Sequence, residues 1–574
     1  MNGGEGKLGF VSCVALVVGA CVGSAIFSLS GLTIFFAGAS AILSWIIAAV
    51  VFSLYGMLVA ELAVRYPDSG GIFIFPKRAF SGRSGSLAGF ISGWGYIMSN
   101  IVAIGFSAMY IGRYFIAGIS RMLSIPIEDV ICNGGYFSSP VSALAVVIGF
   151  ILLVRGGKRS QTVQNVLVII LLATIAVFCT AAFTGGHFHS GSFNDFFGAG
   201  ILGGTGFLSA VPIALVAYGG AIVVPFLASE ISKPHRNIPR SLLYGLLVVA
   251  VIYVALVVSI LGTLPLDAVK GSETSRLIPL FASIIEGYLS TCSWLVPIVA
   301  LSGIIALFTT VIMLLRVNSR AVQAMAAEGC LPSVFYYENK AGIPYLSLLL
   351  MSAVTAIMCF FPEITSKLIL MGAVLNVVSM TITSVSLMVS RKTYPSYKGY
   401  KAPLGATLPI IVIAIFWLCY MPDIIGGSGE IWLFSAIVYA SGLVCRLLIG
   451  GKDKRMLGGV VVHGKGHGHL HGMPTANLEP YAGEKLPEQG VWAVNVYVCG
   501  GKYKGVTNVG LRPSDDNSTI PTVETHIIGF NRDIYGAAMS LEFVKYIRET
   551  RTFANLDELK LQIEKDIQIS KTDS

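Results

Sequence analysis

The sequence predicts a polytopic α-helical membrane protein with about twelve spans, fused to a small β-barrel domain that ends in a helix. Three observations carry this. The 574 residues are 55% hydrophobic and 12% charged. Apolar runs of about twenty residues, the length that crosses a hydrocarbon core, recur as far as Gly450. After Gly451 the runs shorten and alternate while charge becomes dense. The charge balance divides at the same seam. Residues 1–454 carry 26 Lys+Arg against 16 Asp+Glu, a net of +10, and residues 455–574 carry 13 against 14, a net of −1. The basic excess therefore belongs to the membrane part, where it reports topology; no nucleic-acid partner is expected. The expected division is a transporter domain over 1–450, a short basic linker over 451–456 and a second domain over 457–574.

Run length places spans at 8–30, 36–64, 86–112, 140–154, 161–183, 204–229, 241–263, 292–318, 345–361, 366–389, 408–423 and 431–449. The first run has no basic leader beyond Lys7 and continues into further spans, so no cleavable signal peptide is expected. Basic residues concentrate in alternate loops: Lys77, Arg78 and Arg83 after span two, Lys158 and Arg159 after span four, Lys233, Arg236 and Arg240 after span six, Arg320 and Lys340 after span eight, Arg391 and Lys392 after span ten. By the positive-inside rule both termini and the second domain are cytoplasmic, in a multi-pass cell-membrane protein embedded in the lipid bilayer. The ten Cys are scattered, with no spacing of a disulfide framework or a zinc site.

Span one is interrupted at mid-depth by Gly19, Gly23 and Ser24. Glycine costs about 1 kcal/mol relative to alanine inside a helix. Free backbone at that depth is tolerated only where it is buried in protein or lines a cavity. The interruption is either close helix packing through the Gly19/Gly23 spacing or a substrate site made of half-helix ends. Span six has its own interruption, Ala217-Tyr218-Gly219-Gly220-Ala221. Two broken spans five apart fit an inverted five-plus-five repeat, and matched breaks point to a transporter site.

Residues 1–450 resemble the amino acid–polyamine–organocation superfamily of permeases. The resemblance lies in GACVGSAIF (19–27), AELAVRYPDSGG (60–71), SEISKPHRNIPRS (229–241) and NSRAVQAMAAEGCLP (318–332). It implies twelve helices, alternating access and a site between spans one and six. The transport-substrate candidates are Gly19, Ala20, Gly23, Ser24 and Ala25 on span one and Ala217, Tyr218, Gly219 and Gly220 on span six. Among these, Gly23, Ser24 and Ala25 would bind a carboxylate through backbone, and carbonyls near Ala217 to Gly219 an amine. Ala25 stands where the family often has Gly. Proton-coupled relatives often carry a Lys in span five, and Thr162 to Phe183 has none. The intramembrane carboxylates Glu61 and Glu230 lie near cytoplasmic ends, where pairing with nearby Arg is the expectation.

In the second domain, 457–464, 491–500, 502–511, 522–530 and 538–548 alternate as strands between Gly-rich turns, and Leu556 to Ile569 has helical periodicity. Five or so strands and one helix suggest a closed barrel. Three clusters carry chemistry. Gly464, Gly466 and Gly468, with Lys465, permit a loop whose N–H groups cradle phosphates. Thr475 and Asn477 supply neutral oxygens that suit Mg²⁺ leaning on substrate phosphates. Glu524 is either a general base toward a hydroxyl or an outward strand residue paired with a cation. VVHGKG (461–466), GMPTANL (472–478), YKGVTNVG (503–510), VETHIIGF (523–530) and IRETRTF (547–553) are similar to riboflavin kinase. The resemblance implies ATP-dependent phosphorylation of riboflavin to FMN, with Thr475 and Asn477 at Mg²⁺ and phosphate and Glu524 as base. His467 and His469 replace the family's basic residues in the phosphate loop, and His471 an apolar one. The three also permit a metal reading. The joint expectation is a permease for a small molecule, riboflavin or an amino acid, fused to a riboflavin kinase. The juxtaposition points to riboflavin import with trapping as FMN; the alternative is an amino acid permease or exchanger whose flavin domain acts as sensor or as independent enzyme.

Overall fold

The computed structural model of the chain describes residues 8–572 apart from 67–69, 81, 123–134, 156, 187, 199, 227–230, 272–294, 340–341, 394–396, 398, 427–428, 449–455, 463–474, 481–485, 499–500, 512–520, 531–533 and 552–555. The loop candidates Gly464 to His469, together with His471 and Glu230, lie outside the described residues.

Span one is built from two helices, α1 (Phe10–Cys21) and α2 (Ser24–Ala37), and span two is α3 (Ala41–Arg65). After the short α4 (Gly71–Ala79) come α5 (Gly82–Met122), α6 (Gly135–Val154) and α7 (Gly157–Thr184). Span six comprises α8 (Gly206–Tyr218), a 3₁₀ turn (Gly219–Ile222) and α9 (Val223–Phe226). There follow α10 (Pro234–Thr263), the short α11 (Leu266–Gly271), α12 (Leu295–Ala327), α13 (Tyr345–Met358), α14 (Pro362–Thr393), α15 (Thr407–Gly426) and α16 (Gly429–Leu448). Among the described residues, seven helical stretches are long and apolar enough to cross a membrane, and five shorter apolar helices accompany them. With α1 and α2 taken as one broken span, the described helices group into the twelve spans expected. Span three extends past its apolar run at both ends, and Arg446 on α16 donates to the Ser86 carbonyl near the polar first turn of α5 at 2.7 Å.

One apolar cluster runs through this helical part, with Trp45, Tyr218 and Tyr253 fully buried where α3, α8 and α10 meet. Charge is buried at one end of it. Glu61 on α3 is fully buried and receives Arg65 at 2.7 Å, Arg391 from α14 and the Ala402 N–H at 2.7 Å, which is the pairing expected of it.

The C-terminal part is a closed antiparallel barrel in the order β1-β2-β5-β4-β3-β6. Its strands are β1 (Met456–Val462), β2 (Thr475–Pro480), β3 (Gly490–Val498), β4 (Gly501–Leu511), β5 (Pro521–Ile527) and β6 (Ala538–Arg548). β2 is one strand more than the sequence pattern suggested. Its six residues are too few to display alternation, yet they pair with β1 on one side and β5 on the other. Alternate residues of each strand, such as Val494, Val496, Val523 and Leu541, fill the barrel. Within it the Thr507 and Thr525 hydroxyls meet at 2.9 Å, each satisfying the other. Helix α17 (Leu556–Thr572) lies against the barrel, held by Arg548 to Asp566 at 2.8 Å and by the Ser570 hydroxyl on the Gly505 carbonyl at 3.1 Å.

Candidate transport and kinase sites

The first break falls at Val22 and Gly23. The Val22 N–H still closes on the Val18 carbonyl at 2.8 Å, and α2 restarts at Ser24 with no side-chain cap. The leading N–H groups of α2, those of Ser24 and Ala25 among them, therefore form an uncapped helix start, which favours an anion. A Cβ on Gly23 would run into the Thr310 hydroxyl of α12, so glycine is what lets that helix approach the break. The second break is milder than its glycines suggested, since the helix tightens into the 3₁₀ turn without unwinding. Such a turn in mid-helix leaves backbone groups off the regular ladder.

The two breaks touch. A Cβ on Gly220 would collide with the Ala20 carbonyl, so backbone meets backbone there. The buried Tyr253 hydroxyl of α10 reaches the Cys21 carbonyl and, at 3.2 Å, the Ala217 carbonyl. One phenol thus fixes the end of α1 against the end of α8. The Cys21 thiol faces the Tyr218 carbonyl at 3.6 Å, and the Tyr218 hydroxyl donates to the Trp45 carbonyl at 3.1 Å.

Between the breaks lies a cavity of about 120 Å³. Ala20, Cys21, Ala217, Gly219 and Gly220 line it, together with Tyr96, Asn100 and Phe106 of α5, Thr310 and Leu314 of α12, Asn376 of α14 and Tyr420 of α15. Among the described residues, none that lines it is charged. Four candidates are thereby brought to one cavity: Ala20, Ala217, Gly219 and Gly220. Others stand behind it. Gly19 packs on Val168 of α7, at 3.0 Å from a Cβ placed there, and the Tyr218 ring is buried beside Tyr253 with centroids 5.2 Å apart. Gly23 is not among the described lining residues, and the side chains of Ser24 and Ala25 lie outside what the structure describes. Val168 is the span-five side chain against the first break, so the position facing Gly19 carries no titratable group.

The cavity wall drawn from α5, α12, α14 and α15 is what sequence reasoning missed. A signal existed, because carboxamides inside apolar runs, Asn100 and Asn376, are as unusual as the carboxylates that were singled out.

On the barrel, Asn477 of β2 stands directly opposite Glu524 of β5, and Asn508 of β4 opposes Glu524 from the other side. Thr475 lies two residues along β2, opposite His526. Val523, Thr525, Ala476 and Leu478 point into the barrel, so Thr475, Asn477 and Glu524 share its outer face. Opposed residues place their Cβ atoms about 5 Å apart. The hydroxyl, carboxamide and carboxylate singled out in the sequence thus converge on one patch, and Asn508 adds a fourth oxygen-bearing group.

Broken spans around an uncharged cavity define a transporter of small molecules, and the barrel with its oxygen-rich outer face defines a phosphoryl-transfer domain. The amino acid permease family matches residues 8–442, and the riboflavin kinase family matches residues 452–573. The chain belongs to the amino acid permease family, and its C-terminal part is a riboflavin kinase domain. It is similar to the branched-chain amino acid permease BcaP of Bacillus subtilis, 24% identical over 71% of this chain and 86% of that protein. It is also similar to the methylthioribose transporter of the same organism, 26% identical over 73% and 89%. The C-terminal domain is 40% identical over 112 residues to the bifunctional riboflavin kinase/FMN adenylyltransferase of Bacillus subtilis, of which it spans 35%. The chain is thus a multi-pass membrane permease joined to an enzyme domain that takes riboflavin and ATP.

Proposed function

We propose that the chain carries a neutral α-amino acid across the membrane through the cavity between the breaks, and makes FMN from riboflavin and ATP at its barrel. The observation that carries the transport half is one small cavity, with no charge among its described lining residues, walled by the end of α1 and by the span-six break. An amino acid's carboxylate suits the N–H groups of Gly23, Ser24 and Ala25 at the start of α2. Its ammonium suits the carbonyls near Ala217 to Gly219, each of which has two lone pairs and keeps one where Tyr253 takes the other. Gly19 and Tyr218 act from behind, as packing that shapes the breaks. A cavity of 150 Å³ is known to admit benzene, so about 120 Å³ suits an amino acid side chain and is small for a tricyclic flavin. The test is counterflow into vesicles preloaded with a neutral amino acid. Labelled alanine should accumulate transiently, arginine and glutamate should not, and exclusion of all amino acids contradicts the proposal.

For the kinase half, Glu524 takes the proton of the riboflavin 5′-hydroxyl as its oxygen bonds the γ-phosphorus and ADP leaves. Hard oxygen donors are what Mg²⁺ prefers, and Thr475 and Asn477 beside Glu524 fit it. When bound, the ion neutralises charge on the phosphates. Gly464 to His469 would close over those phosphates, His467 and His469 supplying charge when protonated. The working division is 1–450, 451–456 and 457–574. Both termini and the barrel lie in the cytoplasm, since the basic loops and the barrel's tether fall on one side.

The fusion itself favours a second reading, riboflavin import with trapping. FMN carries about −1.5 to −2 charges near neutral pH, which an uncharged site passes poorly.

A further inference from the structure

We infer that Asn376 reads the substrate's side chain, so that the permease prefers neutral amino acids bearing a hydroxyl or amide to their apolar isosteres. This rests on the amino acid reading above. Asn376 lies on α14, at the cavity wall, and its carboxamide oxygen is buried without a hydrogen-bond partner. The other carboxamide of the wall is anchored. The Asn100 amide donates to the Asn318 oxygen at 3.0 Å, and Asn318 in turn donates to the Ile97 carbonyl at 3.2 Å. Asn376 makes no such bond to the described residues, and it sits one turn beyond Gly372 and Ala373, which offer it no side-chain partner.

The terminal torsion of an asparagine is broad and nearly two-fold, so an unanchored carboxamide turns either its oxygen or its NH₂ toward the cavity. A buried polar group left unpaired costs free energy that a ligand partner restores. Around it Val102, Leu314 and Phe106 are apolar, and they accommodate the hydrocarbon part of a side chain. The ligand chemistry that fits is a compact uncharged side chain with one hydrogen-bonding head. Sites built to bond a substrate hydroxyl reject the analogue that lacks it far better than apolar pockets reject an added one.

Threonine and valine have nearly the same shape and differ at this one point, so they are the probes. In vesicles holding the full chain, each is titrated against labelled alanine uptake. The wild type should be inhibited by threonine at about tenfold lower concentration than by valine, roughly one buried hydrogen bond. Asn376→Leu should level or reverse that ratio, and Asn376→Ser, which keeps a donor and an acceptor, should retain part of it. The inference is overturned if valine matches threonine in the wild type, or if both variants leave the ratio unchanged. Failure of the amino acid reading looks different: neither probe competes and riboflavin does, and the inference then falls with it.

Discussion

Gly219 and Gly220 are neighbours with opposite surroundings. A side chain on Gly220 collides with the Ala20 carbonyl, whereas one on Gly219 meets nothing within 4 Å and opens on the cavity. Sequence marked both as breakers, but only packing tells which holds the breaks together and which faces the ligand. Glu524 is the converse case. It was legible because a carboxylate in an alternating strand is conspicuous, and the register sets it opposite Asn477 and Asn508. Glu524→Gln keeps the shape and removes the base. FMN formation by the purified chain should fall by about 10²-fold or more, with riboflavin binding retained. Near-normal turnover in a coupled ADP assay would show that Glu524 has no such role.

At the scale of elements, the paired breaks and most of the strands could be read from local pattern, because glycine and alternation act within a few residues. The wall of the cavity could not. Thr310, Asn376 and Tyr420 come from strongly apolar helices, and only the crossing of α5, α12, α14 and α15 brings them together. β2 escaped because six residues carry little pattern. Long-range charge pairing was equally hidden. Glu328, just past the end of α12, meets Arg78 at 2.8 Å and also Lys77, both on α4. Burial raises its pKa, yet the two cations more than offset this and hold the carboxyl down at about 2. A folded pKa below the unfolded value near 4.5 gives stability that is complete above 4.5 and lost as pH falls toward about 2. Glu328→Gln should therefore cost the several kcal/mol of stability typical of a broken buried pair, seen as a lower thermal midpoint in detergent at pH 7. The gap to wild type should narrow below pH 4.5. A gap independent of pH would separate the loss from this ion pair.

Among the described residues, the two domains touch in the loop after α12. Tyr336, in the loop after α12, sets its ring edge-on to Tyr497 of β3 at 5.2 Å, and the Tyr497 hydroxyl donates to Glu542 at 2.7 Å. The Tyr336 carbonyl is in turn held by the Gln323 amide at 3.0 Å, near the end of the helix that also carries Thr310 and Leu314 into the cavity. On the proposed reading this contact leaves the two sites separate, so that each half does its own chemistry. The most direct measurement of that claim follows label in vesicles holding the full chain, loaded with ATP and Mg²⁺, with labelled alanine or riboflavin outside. Gly219→Trp should abolish alanine uptake while the chain still makes FMN from riboflavin placed on the kinase side. Glu524→Gln should do the reverse, abolishing FMN and leaving alanine uptake at the wild-type rate. The contradicting result is label from outside riboflavin accumulating inside as FMN in the wild type and only equilibrating in Glu524→Gln, with alanine excluded from both.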